Sequence, residues 1–362
     1  MNFNKTALAL AVAGITAAAP IAAQAGVADI YASVRIGVWN VDKGDTDDDG
    51  NFTGGSTSDA EVKSFSSRFG VKAETDMGNG MTGFGKYEWD VDESDFNIRH
   101  RTVGVKGDFG KITLGKTYHT FYNYVVGPTD TPWWHSGYAM IEYRGRTDDA
   151  ISYNYDSGAF SFGVSAYMLG REESTPAAAS VDFVAVSGDD TILGTEAVAA
   201  KSNNEEAIDQ LEIGVSFGLG DMTLGFALLT TEGDSIGNGS DDSDFAGAGK
   251  SDEDVLGVSL TGISLGDVSL GFAFQSQDDD TGFVADVKFG SAYLYIEQES
   301  LDASSKGNTV GDRDRLAITL GYTQTLGKDT LIYYELFSLD NDTGDSDNDT
   351  TTVMAVLKYN LI

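Results

Sequence analysis

The sequence predicts an all-β protein, a sixteen-stranded antiparallel transmembrane β-barrel. Three observations carry that prediction. Apolar residues alternate with small or polar ones at period two along nearly the whole chain. Short connections between the alternating runs take turns with long, acidic ones. No apolar run of the ~18 residues that a membrane helix needs follows Gly26.

In chain order, residues 1–25 read as an export signal. Lys5 gives a basic start, Ala7 to Ala19 an apolar stretch, and Ala23-Gln24-Ala25 a small-x-small cleavage site. The barrel domain is then 26–362, of 362 − 25 = 337 residues and net charge 22 − 57 = −35. Its first strand, 28–40, carries "ADIYASVRIGV". Runs at 62–76 and 80–92 flank "DMGNG", 97–107 and 109–118 flank "GDFG", and 148–157 and 159–171 flank "DSG". The next two hairpins are near copies. "LGDMTLGFAL" (Leu219–Leu228) joins 208–219 to 221–232, and "LGDVSLGFAF" (Leu265–Phe274) joins 253–264 to 266–277. In the first copy Leu211, Ile213, Val215 and Phe217 alternate with Glu212, Gly214, Ser216 and Gly218. Strands 282–290 and 291–300 meet at "GS", and 313–326 and 329–340 meet at "LGKD". The last, 351–362, puts Val353, Ala355, Leu357, Tyr359 and Leu361 in one phase. Glycine in the tight turns supplies the positive φ that short hairpins require.

The long segments are 41–61, 119–147, 172–207, 233–252, 301–312 and 341–350. The connections 93–96 and 278–281 are short where the alternation calls for long ones. Short turns at one end and long loops at the other describe an outer-membrane barrel, turns to the periplasm and loops outside. The runs match or exceed the roughly 9–11 residues that a strand needs to cross. Closure leaves no unpaired edge, which an apolar bilayer demands. Glycine and serine line the lumen, and Leu, Phe and Val meet lipid. Trp39, Trp89, Tyr333 and Tyr334, near strand ends, fit an interfacial girdle. A soluble adhesin is the competing all-β reading; its strands run shorter and its long loops do not gather at one end.

Composition excludes other classes. An exported chain with no cysteine relies on something other than disulfides. A formal charge of −34 argues against a nucleic-acid partner. The chain has only His100, His119 and His135, with no G-x-S-x-G elbow and no H-E-x-x-H, so no enzyme is expected. A barrel hydrolase and a plugged adhesive barrel are the alternatives.

"ADIYASVRIGV", "SRFGVKAETDMGNGMTGFGKYEWDVD" (Ser67–Asp92), "RTVGVKGDFGKITLGK" (Arg101–Lys116) and "ISYNYDSGAFSFGVSAY" (Ile151–Tyr167) resemble successive strands of Gram-negative general diffusion porins. That resemblance implies a homotrimer in the cell outer membrane, among its lipid and lipopolysaccharide, passing small hydrophilic solutes. It also implies a third external loop, Tyr118 to Thr147 here, that folds inward. This loop reads "VVGPTDTPWWHSGYAMIEYRGR" where the family usually has Pro-Glu-Phe-Gly-Gly-Asp.

The alternation puts Arg68, Lys72 and Glu74 on the lumen face, opposite Phe65, Phe69 and Val71. Arg35 shares a face with Ser33, and Arg99 shares one with Arg101. By resemblance Arg68, Arg101 and Arg146 match the wall arginines that oppose an acidic loop. Asp130 and Glu142 are the loop acids expected opposite them, and Glu88 is assigned to the same constriction. Charges in a narrow pore act strongly on passing ions; the alternative is that they only hold the wall together. The net charge adds an expectation of weak cation selectivity, against a sugar- or anion-selective channel. Trp133 and Trp134 are expected to anchor the loop rather than to stack on sugars. No cofactor is expected. "DTDDDGN" (Asp45–Asn51) opens like a calcium loop but has Ser56 at the twelfth position. Loose Ca²⁺ or Mg²⁺ binding is confined to Asp45, Asp47 and Asp49 and to Asp345, Asp347 and Asp349.

Overall fold

A computed structural model describes residues 27–46, 52–91, 96–143, 145–167, 180–187, 190–197, 210–231, 254–302, 313–341 and 349–361. The first strands are β1 (Val27–Thr46), β2 (Phe52–Ser64), β3 (Ser67–Gly78), β4 (Met81–Val91), β5 (Phe96–Gly107) and β6 (Gly110–Tyr118). After the 119–145 segment come β7 (Arg146–Asp156), β8 (Phe160–Tyr167), β9 (Ser180–Ser187) and β10 (Asp190–Ala197). There follow β11 (Gln210–Leu219), β12 (Met222–Thr231), β13 (Val255–Leu265), β14 (Val268–Gln277) and β15 (Asp280–Phe289). The last are β16 (Ala292–Leu301), β17 (Arg313–Gly327), β18 (Thr330–Asp340) and β19 (Thr350–Asn360).

All but β9 and β10 form one 17-stranded antiparallel sheet. β2 and β3 lie end to end along β1: Ile36 to Thr46 pairs with β2, and Val27 to Ser33 with β3. Counted as one wall strand they give 17 − 1 = 16. The other edge of β1 takes β19, Ser33 opposite Asn360 through Lys43 opposite Thr350, and this closes the barrel. β9 and β10 pair only with each other, inside the stretch expected to be a long loop.

The turns have the expected chemistry. Gly220 and Gly266, in the two repeated hairpins, have φ of 69° and 64°, a conformation open to glycine and costly for other residues. The short connection after β14 is a two-residue turn, Gln277 opposite Asp280, with Asp278 at φ 50°.

Side chains split by phase. Ile36, Val38, Leu256, Leu265, Leu320 and Leu357 are exposed. Glu212, Ser259, Gln275, Asp286, Glu297, Thr319 and Glu335 are buried on the opposite face. Apolar outside and polar inside inverts a soluble protein and suits a wall solvated by lipid. Among the described residues no helix is long and apolar enough to cross a membrane.

Two bulges shift the expected phases. Between β2 and β3, Phe65 donates its N–H to the Arg35 carbonyl (2.9 Å) and Ser66 takes φ 55°. Phe65 is therefore buried on the polar face, stacked on Trp39 (5.8 Å), while Phe69 stays outside. Trp39 and Tyr333 also sit inside, in phase with the buried Arg35 and Glu335, and not in a girdle; Tyr333 stacks on Trp133 at 4.6 Å. Trp89, against Phe69, and the exposed Tyr334 keep outward positions. In β5, Glu88 of β4 pairs with His100 and Trp89 with Ile98, so Arg99 is the extra residue. One extra residue reverses every side chain beyond it.

Candidate functional site

The site is built around the 119–145 segment. It begins with a single π-helical turn, Tyr122–Val126, whose Tyr124, Val125 and Val126 are buried. Wall glycines make room for it. A Cβ on Gly257 would stand 2.6 Å from the Phe121 ring, and Cβ atoms on Gly214 and Gly225 would collide with Tyr124. The small residues in the repeated hairpins thus admit this turn.

Buried wall carboxylates then hold the segment by its backbone. On β11, Glu212 accepts from Phe121 N–H (2.8 Å), His119 Nδ1 (2.9 Å) and Gln210 Nε2 (2.6 Å). On β16, Glu297 accepts from the N–H groups of Gly137 (2.6 Å) and Tyr138 (3.1 Å). On β18, Glu335 accepts from Trp133 (2.5 Å), Trp134 (3.1 Å) and His135 (3.1 Å) N–H, from His135 Nδ1 (2.7 Å) and from Tyr293 Oη. Gln275 of β14 brackets Glu142, accepting from its N–H and donating to its carbonyl, both at 2.9 Å. Thr131 donates to Asp286 (2.7 Å), and Ser259 and Thr319 donate to the carbonyls of Tyr124 and His135. A loop of this length carries many orphan backbone groups, and in a dry setting each must find a partner. Carboxylate oxygens are good acceptors for them.

Across from this segment stands a basic wall. A cleft is lined by Arg35, Arg68, Arg99 and Arg146 on one side and by Asp130, Trp133 and Tyr143 on the other. Arg99 is neutralised: Nε lies 3.2 Å from Glu88 and Nη1 3.2 Å from Asp90. Glu88 also accepts from Tyr31 Oη (2.6 Å) and pairs with Lys86 (3.0 Å). Arg35 is 6 % exposed, with its guanidinium 5.6 Å from the Trp133 ring. Arg146 lies over Tyr118, which stacks on Tyr122 at 4.8 Å. Asp130 accepts from Tyr122 (2.6 Å) and Tyr143 (3.0 Å) hydroxyls. Loss of water contact pushes the Asp130 carboxyl above its usual range, against the pull of those hydroxyls. The same enclosure raises Tyr122 and Tyr143, and holds Tyr124 at about 12.

A polar, charge-lined cleft in a closed sixteen-stranded barrel has a direct counterpart: a sequence profile of Gram-negative porins matches residues 6–249. The chain is a Gram-negative porin. As such it is an outer-membrane diffusion channel. No curated protein matches it. Among solved structures, the anion-selective porin of Comamonas acidovorans is 16% identical with a TM-score of 0.59, over 93% of this porin and 100% of that chain. A loop-L8 deletion form of OmpT, an outer-membrane protein of Vibrio cholerae, is 17% identical with a TM-score of 0.60, over 93% and 100%. OmpF of Salmonella typhi, in complex with daunomycin, is 14% identical with a TM-score of 0.59, over 92% and 100%. At these identities the likeness is one of fold.

Of the residues singled out from the porin's sequence, Arg35, Arg68, Arg99, Arg146 and Asp130 come together at the cleft. Glu88 lies just behind it, bonded to Arg99. Three do not join them. Arg101 is exposed and in phase with Val103, which is 58 % exposed, and it pairs across to Tyr87 on the outer face. The bulge at Arg99 puts it there. Lys72 stays on the polar face but is ion-paired to Asp29 (3.0 Å). It lies four residues from Arg68, about 13 Å along the strand. The Glu142 side chain is buried, its Oε1 4.0 Å from His119 Nε2, away from the cleft lining.

The divalent-ion expectation falls mostly outside the described residues: Asp47, Asp49, Asp345 and Asp347 lie there, as does the Asp45 side chain. Asp349 accepts from Asn341 N–H at 3.2 Å. Among the described residues no group of three or more His, Asp or Glu is arranged to hold a metal. Sequence reasoning missed Glu212, Glu297 and Glu335. Their signal was an acid in the inward phase of an otherwise small or apolar run, as in "LEIGVSF".

Proposed function

We propose that this porin is a water-filled passage for small hydrophilic solutes and ions. Its narrowest point lies between the arginine wall and the 119–145 segment, which acts as the third external loop folded into the lumen. The observation that carries the reading is the set of wall carboxylates, Glu212, Glu297 and Glu335, that hold this segment's backbone against the polar face. Such anchoring narrows the lumen at fixed height without closing it.

Selectivity is set by two opposed fields. The net charge of −34 concentrates cations at the mouth. The cleft opposes this with four arginines, against Asp130 on the facing segment and Asp90, which stands beside Arg68 on the same wall and is paired to Arg99. Screening over about 8 Å at physiological salt weakens the distant charges more than the near ones. Weak cation selectivity overall is the expected balance. Reversal potentials in a KCl gradient test it: neutralising Arg35 and Arg68 together raises cation preference, and Asp130→Asn lowers it. No movement in either variant, with conductance intact, places the narrow point elsewhere. The family's homotrimer and a lipopolysaccharide contact belong to the same proposal; chemical cross-linking in mild detergent checks the trimer.

A further inference from the structure

Arg35 and Arg68 differ from the other cations of the cleft. They stand on neighbouring strands, Arg68 opposite Ser33 and Arg35 two residues further on the same face. Among the described residues neither guanidinium makes an ion pair or a side-chain hydrogen bond, and the buried Nε of each lacks an acceptor. Arg99, beside them, is by contrast satisfied by Glu88 and Asp90. Two like charges side by side are costly, and the nearest wall acids, Asp90 across from Arg68 and Glu88 behind it, are already engaged by Arg99. Planar guanidinium groups accept one class of partner with particular geometric fit: carboxylates, held by two parallel N–H···O bonds. The surroundings add a second preference. Trp133, backed by Tyr333 at 4.6 Å, lines one side of the cleft, and Tyr118, stacked on Tyr122, lines another.

We propose that Arg35 and Arg68 form a binding subsite for small aromatic carboxylates, the carboxylate on the two guanidinium groups and the ring among Trp133 and Tyr118. This rests on the reading of the chain as a diffusion channel and names a solute class that the channel takes up ahead of others. Binding is weak and rapidly reversible, so the subsite favours passage instead of blocking it.

The test is single-channel recording of the full-length porin in KCl with graded additions of benzoate, acetate, inorganic phosphate, benzyl alcohol or benzylammonium. Benzoate is expected to interrupt the current at about tenfold lower concentration than acetate or phosphate, the gain of a buried ring contact. Benzyl alcohol and benzylammonium are expected to have little effect. Arg35→Gln and Arg68→Gln should each raise the benzoate concentration required by about tenfold, the value of one charge-assisted hydrogen bond. Equal action of benzoate and benzyl alcohol overturns the carboxylate site, and equal action of benzoate, acetate and phosphate overturns the aromatic preference. Unchanged benzoate action in both variants overturns the assignment to these arginines. If one variant fails to assemble, the other and the wild-type series still decide. Absence of any channel steps in KCl alone is a different failure, that of the diffusion-channel reading.

Discussion

Removing the Glu335 carboxylate should release the middle of the 119–145 segment without unfolding the barrel. Glu335 takes three consecutive backbone N–H groups, those of Trp133, Trp134 and His135, together with His135 Nδ1. Glu335→Gln keeps the volume and one acceptor oxygen but turns an amide NH₂ toward at least two of those donors, since Oε1 holds Trp133 and Trp134 and Oε2 holds both groups of His135. Each buried donor left unpaired costs about 1–3 kcal/mol. Water in the lumen can reach a released loop, so the low end applies: about 2 kcal/mol for Gln and about 3–5 kcal/mol for Ala. At tenfold per 1.4 kcal/mol, the Gln variant shifts the seated-to-released ratio by roughly thirtyfold. The wall ladders on either side of β18 do not depend on this side chain. Single-channel traces should then show higher and noisier conductance, larger in Ala than in Gln. External protease should cut between Pro132 and Tyr143, while the barrel keeps its heat-modifiable mobility in gels. Wild-type conductance and protease resistance in the Ala variant would refute the claim that the carboxylate seats the segment.

Three other outcomes are expected. Val215→Arg, on the outer face, should impair assembly at a cost of about 2–4 kcal/mol near the bilayer midplane, while Ser216→Arg, one residue on, inserts normally; equal yields of heat-modifiable barrel would defeat the face assignment. Asp130 has a raised folded-state pKa, so its contribution is full below the ordinary carboxylate pKa and is lost as pH rises through the raised value. Protease resistance of the segment should fall over that window in wild type and show no such step in Asp130→Asn. Calcium or magnesium should stabilise the acidic segments around Asp45, Asp47 and Asp49 and around Asp345, Asp347 and Asp349; thermal stability that is insensitive to chelator at matched ionic strength removes the divalent site.

Much of the wall was legible because its rules are local. Alternation and turn glycines read out the strands, and the repeated "LGD" turns fold as expected around Gly220 and Gly266. The bulges were not legible. An extra residue at Ser66 or Arg99 is visible only against the partner strand, and each reversed a side chain that period-two reading had placed, Phe65 in one case and Arg101 in the other. The carboxylate clasps failed for a different reason. Glu335 stands in the inward phase of "YYELFSL", so the acceptor shows in the sequence, but its donors lie about 200 residues away. Nothing in the loop's own composition marks three of its N–H groups as the ones that need a wall carboxylate. Arg35 and Arg68 were found because basic residues in a lumen phase stand out among apolar and small neighbours.

The most direct test of a diffusion channel narrowed by an anchored segment is single-channel conductance of the purified, heat-modifiable barrel in planar bilayers. The expected result is discrete, ohmic steps in wild type that grow larger when residues 128–143 are replaced by a short Gly-Ser linker. A folded barrel that gives no steps, or steps that the replacement leaves unchanged, would contradict it.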